Sequence, residues 1–371
     1  MESKFWKDMF VKNGQNKDGN TFIISKEKPI GYGSKKNIKV IKGLEVSEYD
    51  EFCSFIQNHN KTSTGNTTLL PKSELVKLLK LDNNVVLIRS NVGNKLIGTI
   101  MTIKLPIRNK QDSKCEIITH GCTTFLSVHG KLRGNGLCMA LIRGLVGYCY
   151  EEKVFCDYHT VPLKIGNNSI QVNSWYRPIH LKNSEKLGFL HPNTPKTRNR
   201  LKYKTTLQRG YSFLKITNTN SIESLNLYKK LVKDKKFVFF PDIDLWKKWI
   251  NIFPSFIIYK ENVEIGIVSL HTLYCIISST NTEGKLAIPA ICVGDMESNN
   301  MKSNNMKSVM SVMVHICDVL KYDVLYLYQI GNITEKHLEQ INAVRNDVKT
   351  WFSLYNNRIN ISETDILVPV L

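Results

Sequence analysis

Between Gly130 and Gly136 the chain reads Gly-Lys-Leu-Arg-Gly-Asn-Gly, three glycines and two cations in seven residues. Residues of these types could hold an anion. The run follows an apolar, β-prone stretch, Thr123 to Val128. It precedes Leu137, Leu141, Leu145 and Tyr148, with Ala140 and Cys149, which recur at helical spacing. A strand that enters a helix through such a turn offers backbone N–H groups at the positive helix end, and a phosphate or pyrophosphate suits that geometry. An ordinary strand-turn-helix connection uses the same glycines, so the loop alone leaves both readings open. No Gly-Lys-Ser/Thr follows, so this is not a Walker loop, and the spacing is not that of the dinucleotide fingerprint.

Other chemistry is sparsely marked. Nine cysteines occur without a C-x-x-C pair or a Cys/His metal spacing, and most sit inside apolar runs. They read as reduced core thiols, and no metal is expected. No Ser-His-Asp or Cys-His arrangement is evident. His129 reads as a structural histidine.

A chain of 371 residues, 42% hydrophobic and 22% charged, is globular and long enough for two domains. The net charge of +19 admits nucleic acid, an anionic membrane surface or a polyanionic ligand as partner. Lys is scattered, however, and no nucleic-acid motif accompanies it, so a Lys/Asn/Ile-rich base composition takes the larger share and no nucleic acid is expected. The segment MESKFWKDMF has no h-region and no apolar run reaches ~18 residues. A cytoplasmic monomer without a transmembrane segment is the expectation.

The positioning elements come in two similar series. Lys39–Leu44 predicts a strand, Ser47–Asn58 a helix capped by Ser47, and Pro71–Leu81 a short helix. Val85–Arg89 and Leu96–Leu105 form a hairpin, then come the strand from Glu116 through Val128, the helix Leu137–Tyr150 and a strand at Val154–Tyr158. The second series is strand Tyr211–Ile216, helix Ser221–Val232, hairpin Phe256–Tyr259 with Val263–Leu270, strand Ile288–Val293, helix Lys307–Leu320 and strand Asp323–Tyr328. The order repeats at an offset of roughly 170 residues, as in a duplicated domain. The Pro-rich, basic stretch His191–Lys204 is the expected joint, giving domains 1–200 and 201–371. Only the first series has a glycine-rich turn. Met296–Met306 stands in its place in the second.

A strand, a glycine-rich turn and a helix in a mixed sheet resemble the acyl-CoA-binding element of the acetyltransferase superfamily. A tandem pair resembles one family within it, the N-myristoyltransferases (glycylpeptide N-tetradecanoyltransferases). Phe125-Leu126-Ser127-Val128-His129-Gly130-Lys131-Leu132-Arg133 is similar to that family's Phe-Leu-Cys-Val-His-Lys-Lys-Leu-Arg. Lys4-Phe5-Trp6, Leu141-Ile142-Arg143, Trp175-Tyr176-Arg177-Pro178, Thr194-Pro195-Lys196-Thr197, Lys321-Tyr322-Asp323-Val324, Leu354-Tyr355-Asn356 and the closing Val368-Pro369-Val370-Leu371 resemble further family blocks in the same order. Four departures stand out: Gly134-Asn135-Gly136 replaces Ser-Lys-Arg, Tyr176 replaces a His, Thr124 an Asn, and Gln329 an acid.

The resemblance implies an α+β, tandem duplicated acetyltransferase-like fold, with a mixed sheet flanked by helices in each half. It implies transfer of a myristoyl group from myristoyl-CoA to the N-terminal glycine amine of a peptide or protein, by direct attack without an acyl-enzyme and with the lipid-CoA bound first. The backbone N–H groups of Phe125 and Leu126 would form the oxyanion hole, although their side chains alone read as strand core. The α-carboxylate of Leu371 would be the base; a last strand packed for stability, its carboxylate at the surface, is the other reading. CoA would be held by Phe125, Leu126, Ser127, Val128, Arg133, Gly134, Asn135, Gly136, Leu137 and Cys138, with Lys4, Phe5 and Trp6 covering it. Two lost cations in the turn would leave backbone N–H groups to carry more of the phosphate binding. Thr124, Thr160 and Tyr176 would meet the peptide, and His159 competes with Thr160 at the amine. A short-chain acyl-CoA N-acetyltransferase and a non-catalytic acyl-CoA or peptide binder are the alternatives.

Overall fold

A computed structural model describes residue 23 and residues 38–60, 67–161, 169–190, 201, 205–277, 281–295, 305–357 and 359–371. The order of elements is β1 (Ile38–Lys42), α1 (Tyr49–His59), β2 (Thr67–Leu69), α2 (Lys72–Leu78), β3 (Asn83–Ser90), β4 (Leu96–Gln111), β5 (Lys114–Val128), α3 (Leu137–Glu151) and β6 (Cys156–Val161). It continues through β7 (Ser169–Pro178), α4 (Leu181–Lys186), β8 (Tyr211–Lys215), α5 (Ser221–Leu231), β9 (Phe237–Phe239), α6 (Ile243–Ile252), β10 (Ser255–Lys260), β11 (Val263–Ile277) and β12 (Thr282–Gly294). The last elements are α7 (Asn305–Val319), β13 (Val324–Tyr328), α8 (Glu335–Gln340), β14 (Val344–Tyr355) and β15 (Ile366–Leu367).

Two compact units result. The first comprises Met1–Ile170 with Trp351–Asn360 and Leu371, the second Gln171–Thr350 with Ile361–Val370. In the first, strands run β1-β3-β4-β5-β6-β14 across the sheet. All the registers described there are antiparallel except β5 with β6, which is parallel, as a strand-helix-strand crossover requires. The crossover helix α3 lays Leu137, Leu141 and Leu145 on Val86, Ile88, Ile97 and Ile100. Glycine permits the close approach: a Cβ at Gly98 would sit 3.0 Å from Leu141 Cδ1, and one at Gly144 3.0 Å from Val86 Cγ1.

The second unit repeats the plan. Its sheet runs β7-β13-β12-β11-β10-β8, with β12 and β13 parallel and α7 crossing between them. Val309, Met313 and Ile316 of α7 join Ile258, Ile265 and Val268 in the core. The series β3-β4-β5-α3-β6 therefore recurs as β10-β11-β12-α7-β13. This is a tandem α+β fold with a mixed sheet and flanking helices in each unit. Among the described residues no helix is long and apolar enough to cross a membrane.

Three sequence expectations change. Ser47 does not cap α1. It lies in a 3-10 turn, Val46–Glu48, where Glu45 and Glu48 form the capping box instead. The hairpin strands run on past Leu105, because alternation continues through Ile103, Leu105 and Ile107, all buried. Helix α6 and strand β14 were unmarked. The α6 sequence is amphipathic and Asp242 caps it by accepting from the Leu245 N–H, but two Lys between Trp246 and Trp249 obscure the apolar stripe. Of the expected joint, 191–200 and 202–204 lie outside the described residues, as do Lys4, Phe5 and Trp6.

Both units bury histidine, His120 in the first and His271 with His337 in the second. His120 is fully buried between the Ile118 carbonyl and the Asn357 amide, and His271 is buried against Phe253. Burial lowers both to about 4, against an ordinary value of 6.5. Below pH 6.5 an unfolded chain takes up protons that the folded chain refuses, so stability present at neutral pH is lost as pH falls toward 4. Each unit should lose on the order of 2 kcal/mol between pH 6.5 and 5. Urea unfolding at the two pH values measures this, and His271→Leu should flatten the second unit's share. Equal midpoints at both pH values would contradict it.

Candidate active site

Strand β5 carries an extra residue where it passes Ile100. Met101 pairs with Thr124 and Thr99 with Ser127, so Phe125 and Leu126 together face one position of β4. This is a β-bulge. Phe125 adopts φ +52°, the left-handed region that a bulky residue rarely occupies. Two contacts hold it there. The Thr99 hydroxyl donates to the Phe125 carbonyl at 3.0 Å, and the Phe125 ring meets Phe52 of α1 edge-on at 6.3 Å. Strain retained by its surroundings is a mark of functional backbone. A bulge leaves backbone groups out of the ladder, and here those of Phe125 and Leu126 are concerned. Leu126 is 39% exposed, so the bulge reaches the surface.

Beside the bulge the parallel pair opens. Strands β5 and β6 are paired only at His120 with Cys156, Gly121 with Asp157, and Cys122 with Tyr158. Both strands continue, β5 to Val128 and β6 to Val161. The slot between their diverging ends has the Phe125–Leu126 backbone on one side and His159 and Thr160 on the other. Crevices at the carboxyl ends of parallel strands are where open sheets place ligands.

Leu371 comes to this strand pair. It belongs to the first unit by its contacts and is half-buried, and its backbone hydrogen-bonds the Cys122 thiol. Cys122 precedes Phe125 by three residues, about 10 Å of strand. Burial, with the Asp157 charge adding, pushes this thiol up to about 12 against the opposing bonds from Tyr158 and Leu371. Cys53, Cys138, Cys149, Cys156, Cys275, Cys292 and Cys317 are also raised, each chiefly by burial. None of these is an activated thiolate at neutral pH.

The glycine-rich turn follows β5 directly and leads into α3. Gly130–Leu132 forms a 3-10 turn, and Gly134 (φ +85°) and Gly136 (φ +75°) take left-handed conformations that favour glycine. Gly136 is the N-cap of α3 and supplies no side-chain cap. The first intrahelical bond is Ala140 N–H to the Gly136 carbonyl, so Leu137, Cys138 and Met139 present N–H groups without an intrahelical acceptor. A Cβ at Gly130 or Gly134 would meet nothing within 4 Å, as an open cradle requires. Arg133 is tied into the turn by donating to the His59 carbonyl at 2.7 Å, and the Gly130 N–H donates to His59 Nδ1 at 3.4 Å. The His59 and His129 rings pack at a tilt of 47° with centroids 4.4 Å apart. Ser127 and Val128 pair with Thr99 and Gly98 at the start of the turn.

Of the other expected site residues, Thr124 is half-buried opposite Met101, and Thr160 pairs with Phe352 of β14. In the second unit, Tyr176 packs edge-on against Phe189 with centroids 5.2 Å apart, and its phenol is raised by burial and by the Asp347 charge. The matching bend of β12, where Leu270 pairs with Pro289 and Ser269 with Ile291, includes a proline with no N–H to offer. Unmarked in the sequence were Thr99, Cys122 and a polar group around Asp157. That carboxylate accepts from Thr123 Oγ1 at 2.7 Å, Thr102 Oγ1 at 3.5 Å and His159 Nδ1 at 3.0 Å. An Asp-x-His spacing inside an apolar strand was its only signal. Among the described residues no group of three or more His, Cys, Asp or Glu side chains could hold a metal.

No family model and no curated protein sequence matches this chain. Solved structures do. A Saccharomyces cerevisiae N-myristoyltransferase with bound myristoyl-CoA is 13% identical, superposes with a TM-score of 0.74, and covers 92% of this chain and 86% of its own. A structure of that enzyme with myristoyl-CoA and inhibitors is 12% identical with a TM-score of 0.76, covering 92% and 87%. The GCN5-related glucosamine N-acetyltransferase region of a fungal β-N-acetylglucosaminidase is 10% identical with a TM-score of 0.53, covering 87% of this chain and 38% of its own. The chain thus has the tandem N-acyltransferase fold seen in the N-myristoyltransferases, at low sequence identity.

Proposed function

We propose that this protein transfers a myristoyl group from myristoyl-CoA to the N-terminal glycine amine of a peptide or protein. The observation that carries the reading is the strained bulge at Phe125 and Leu126, on the same strand as Cys122, where the Leu371 backbone is bonded. Acyl transfer from a thioester to an amine places negative charge on the carbonyl oxygen, and two fixed backbone N–H groups can receive it. Each such donor contributes about 2.7–4 kcal/mol to the transition state. The glycine turn and the first turn of α3 would take the CoA phosphates through backbone N–H groups, and the strand from Phe125 to Val128 the pantetheine arm. Lys4, Phe5 and Trp6 would cover the donor.

The amine must arrive as free base. The α-carboxylate of Leu371, in a chain that ends there, would accept its proton, and Thr160 would hold the nitrogen. With no activated thiol beside the bulge, the amine attacks the thioester directly. Thr124 and Tyr176 are the proposed peptide contacts, and a monomer needs no further subunit for any of these roles.

The test uses purified full chain, labelled myristoyl-CoA and a peptide beginning Gly-x-x-x-Ser. Label should appear in the peptide amide, and acetyl-CoA should compete poorly. Absence of transfer above background would refute the reading, and preferential use of acetyl-CoA would replace it with a short-chain acetyltransferase.

A further inference from the structure

Amide formation from an ammonium takes two protons off nitrogen, and each needs an acceptor as it leaves. An ammonium R–NH₃⁺ and a thioester give an amide, a thiol and one proton. Nitrogen therefore loses two protons: one before its lone pair attacks, the second as the C–N bond forms and the C–S bond breaks. One ends on the departing CoA sulfur and one must leave the site. The Cys122 thiol is bonded both by the Leu371 backbone and by the Tyr158 side chain. Strand alternation places Asp157 and His159 on the opposite face of β6 from Tyr158 and Thr160.

On that second face the arrangement is that of a base with its orienting carboxylate. His159 Nδ1 lies 3.0 Å from Asp157 Oδ2, with each side chain about one-fifth exposed. Two hydroxyls donate to the other carboxylate oxygen, Thr123 at 2.7 Å and Thr102 at 3.5 Å. Glycine at 121 makes the space, since a Cβ there would fall 2.6 Å from Asp157 Oδ1 and 2.5 Å from Thr102 Oγ1. With Nδ1–H donated to Asp157, Nε2 keeps its lone pair. His159 sits one position past the last β5–β6 pair, at the mouth of the slot. The groups that feel the Asp157 charge are Cys122, Cys149, Cys156 and Tyr355, all raised by burial and so uncharged at neutral pH. Asp157 is therefore the charge that faces His159. Burial raises Asp157 itself, and its bonds to His159, Thr123 and Thr102 oppose that.

We propose that His159, oriented by Asp157, is a second proton acceptor for the incoming amine. It takes a proton at Nε2 as the nitrogen engages the thioester carbon. The tetrahedral oxyanion rests on the bulge, the C–S bond breaks, the departing CoA sulfur takes up the proton that the Leu371 carboxylate accepted, and the imidazolium passes the other to water. Asp157 is a positioning residue. The proposal rests on the acyl-transfer reading above.

The experiment compares the full chain with His159→Gln and Asp157→Asn, measuring myristoyl-CoA affinity and transfer to a glycine peptide from pH 6 to 9.5. His159→Gln should bind myristoyl-CoA within about twofold of wild type. It should lose about 100-fold in kcat at pH 7. That loss should shrink to under about tenfold at pH 9.5, where hydroxide replaces the imidazole as acceptor of the second proton. Asp157→Asn should show the same pH-dependent loss, smaller in size. Should His159→Gln fold poorly, His159→Ala supplemented with imidazole replaces it, and recovery of turnover is expected. A loss equal at every pH, or no rescue by imidazole, would make His159 structural and overturn the proposal. A His159→Gln profile identical to wild type would overturn it while leaving acyl transfer standing. A wild type that binds myristoyl-CoA and transfers nothing would overturn both.

Discussion

A chain lengthened by a few residues past Leu371 should bind myristoyl-CoA like its parent and lose about 10³-fold or more in kcat. A positioned base contributes about 10²–10⁴-fold. Here the proposed base is a backbone carboxylate, which exists only while nothing follows it. The preceding Val368 and Val370 are 4% and 8% exposed, so the segment is held, and the Leu371 backbone is bonded to Cys122. An extension turns the carboxylate into an amide, which accepts no proton at neutral pH. Deletion of Leu371 should act similarly, because the new carboxylate stops one residue short of Cys122. Donor binding uses the glycine turn and should survive both changes. An extended chain that turns over at the parental rate would remove Leu371 from the chemistry and return it to a packing role.

Leu126→Pro should cost about 10²–10³-fold in kcat, whereas Leu126→Ala should cost under about threefold. The two variants lose much the same side chain, which is 39% exposed, but only proline loses the N–H. The contrast therefore reads the backbone donor rather than apolar contact. Thr99→Val is the graded companion. It removes the hydroxyl that pins the Phe125 carbonyl while leaving both donors in place, and about a tenfold loss is expected. Myristoyl-CoA affinity, measured alongside, should move little in Leu126→Ala and Thr99→Val. Equal activity of the proline and alanine variants would show that the Leu126 N–H receives no charge.

Much of this architecture is local and could be read along the chain. The run from Thr123 through Gly136 to Tyr150 states strand, turn and helix through apolar spacing and glycine, and α3 begins at Leu137 as that spacing requires. The duplication is legible for the same reason, since hairpin, strand and helix signals depend on neighbours a few residues apart. The bulge is not local. Nothing in Phe-Leu-Ser-Val announces a left-handed Phe125; it arises because Thr99 and Phe52, distant in sequence, hold the extra residue in place. Nor could order along the chain show that Trp351–Asn360 and Leu371 return to the first unit, because strand pairing is settled by which edges meet. The Asp157–His159 pair has the same origin. Each residue alone is an unremarkable polar position in a strand, and only packing of Gly121, Thr102 and Thr123 around the carboxylate turns an Asp-x-His spacing into an oriented imidazole.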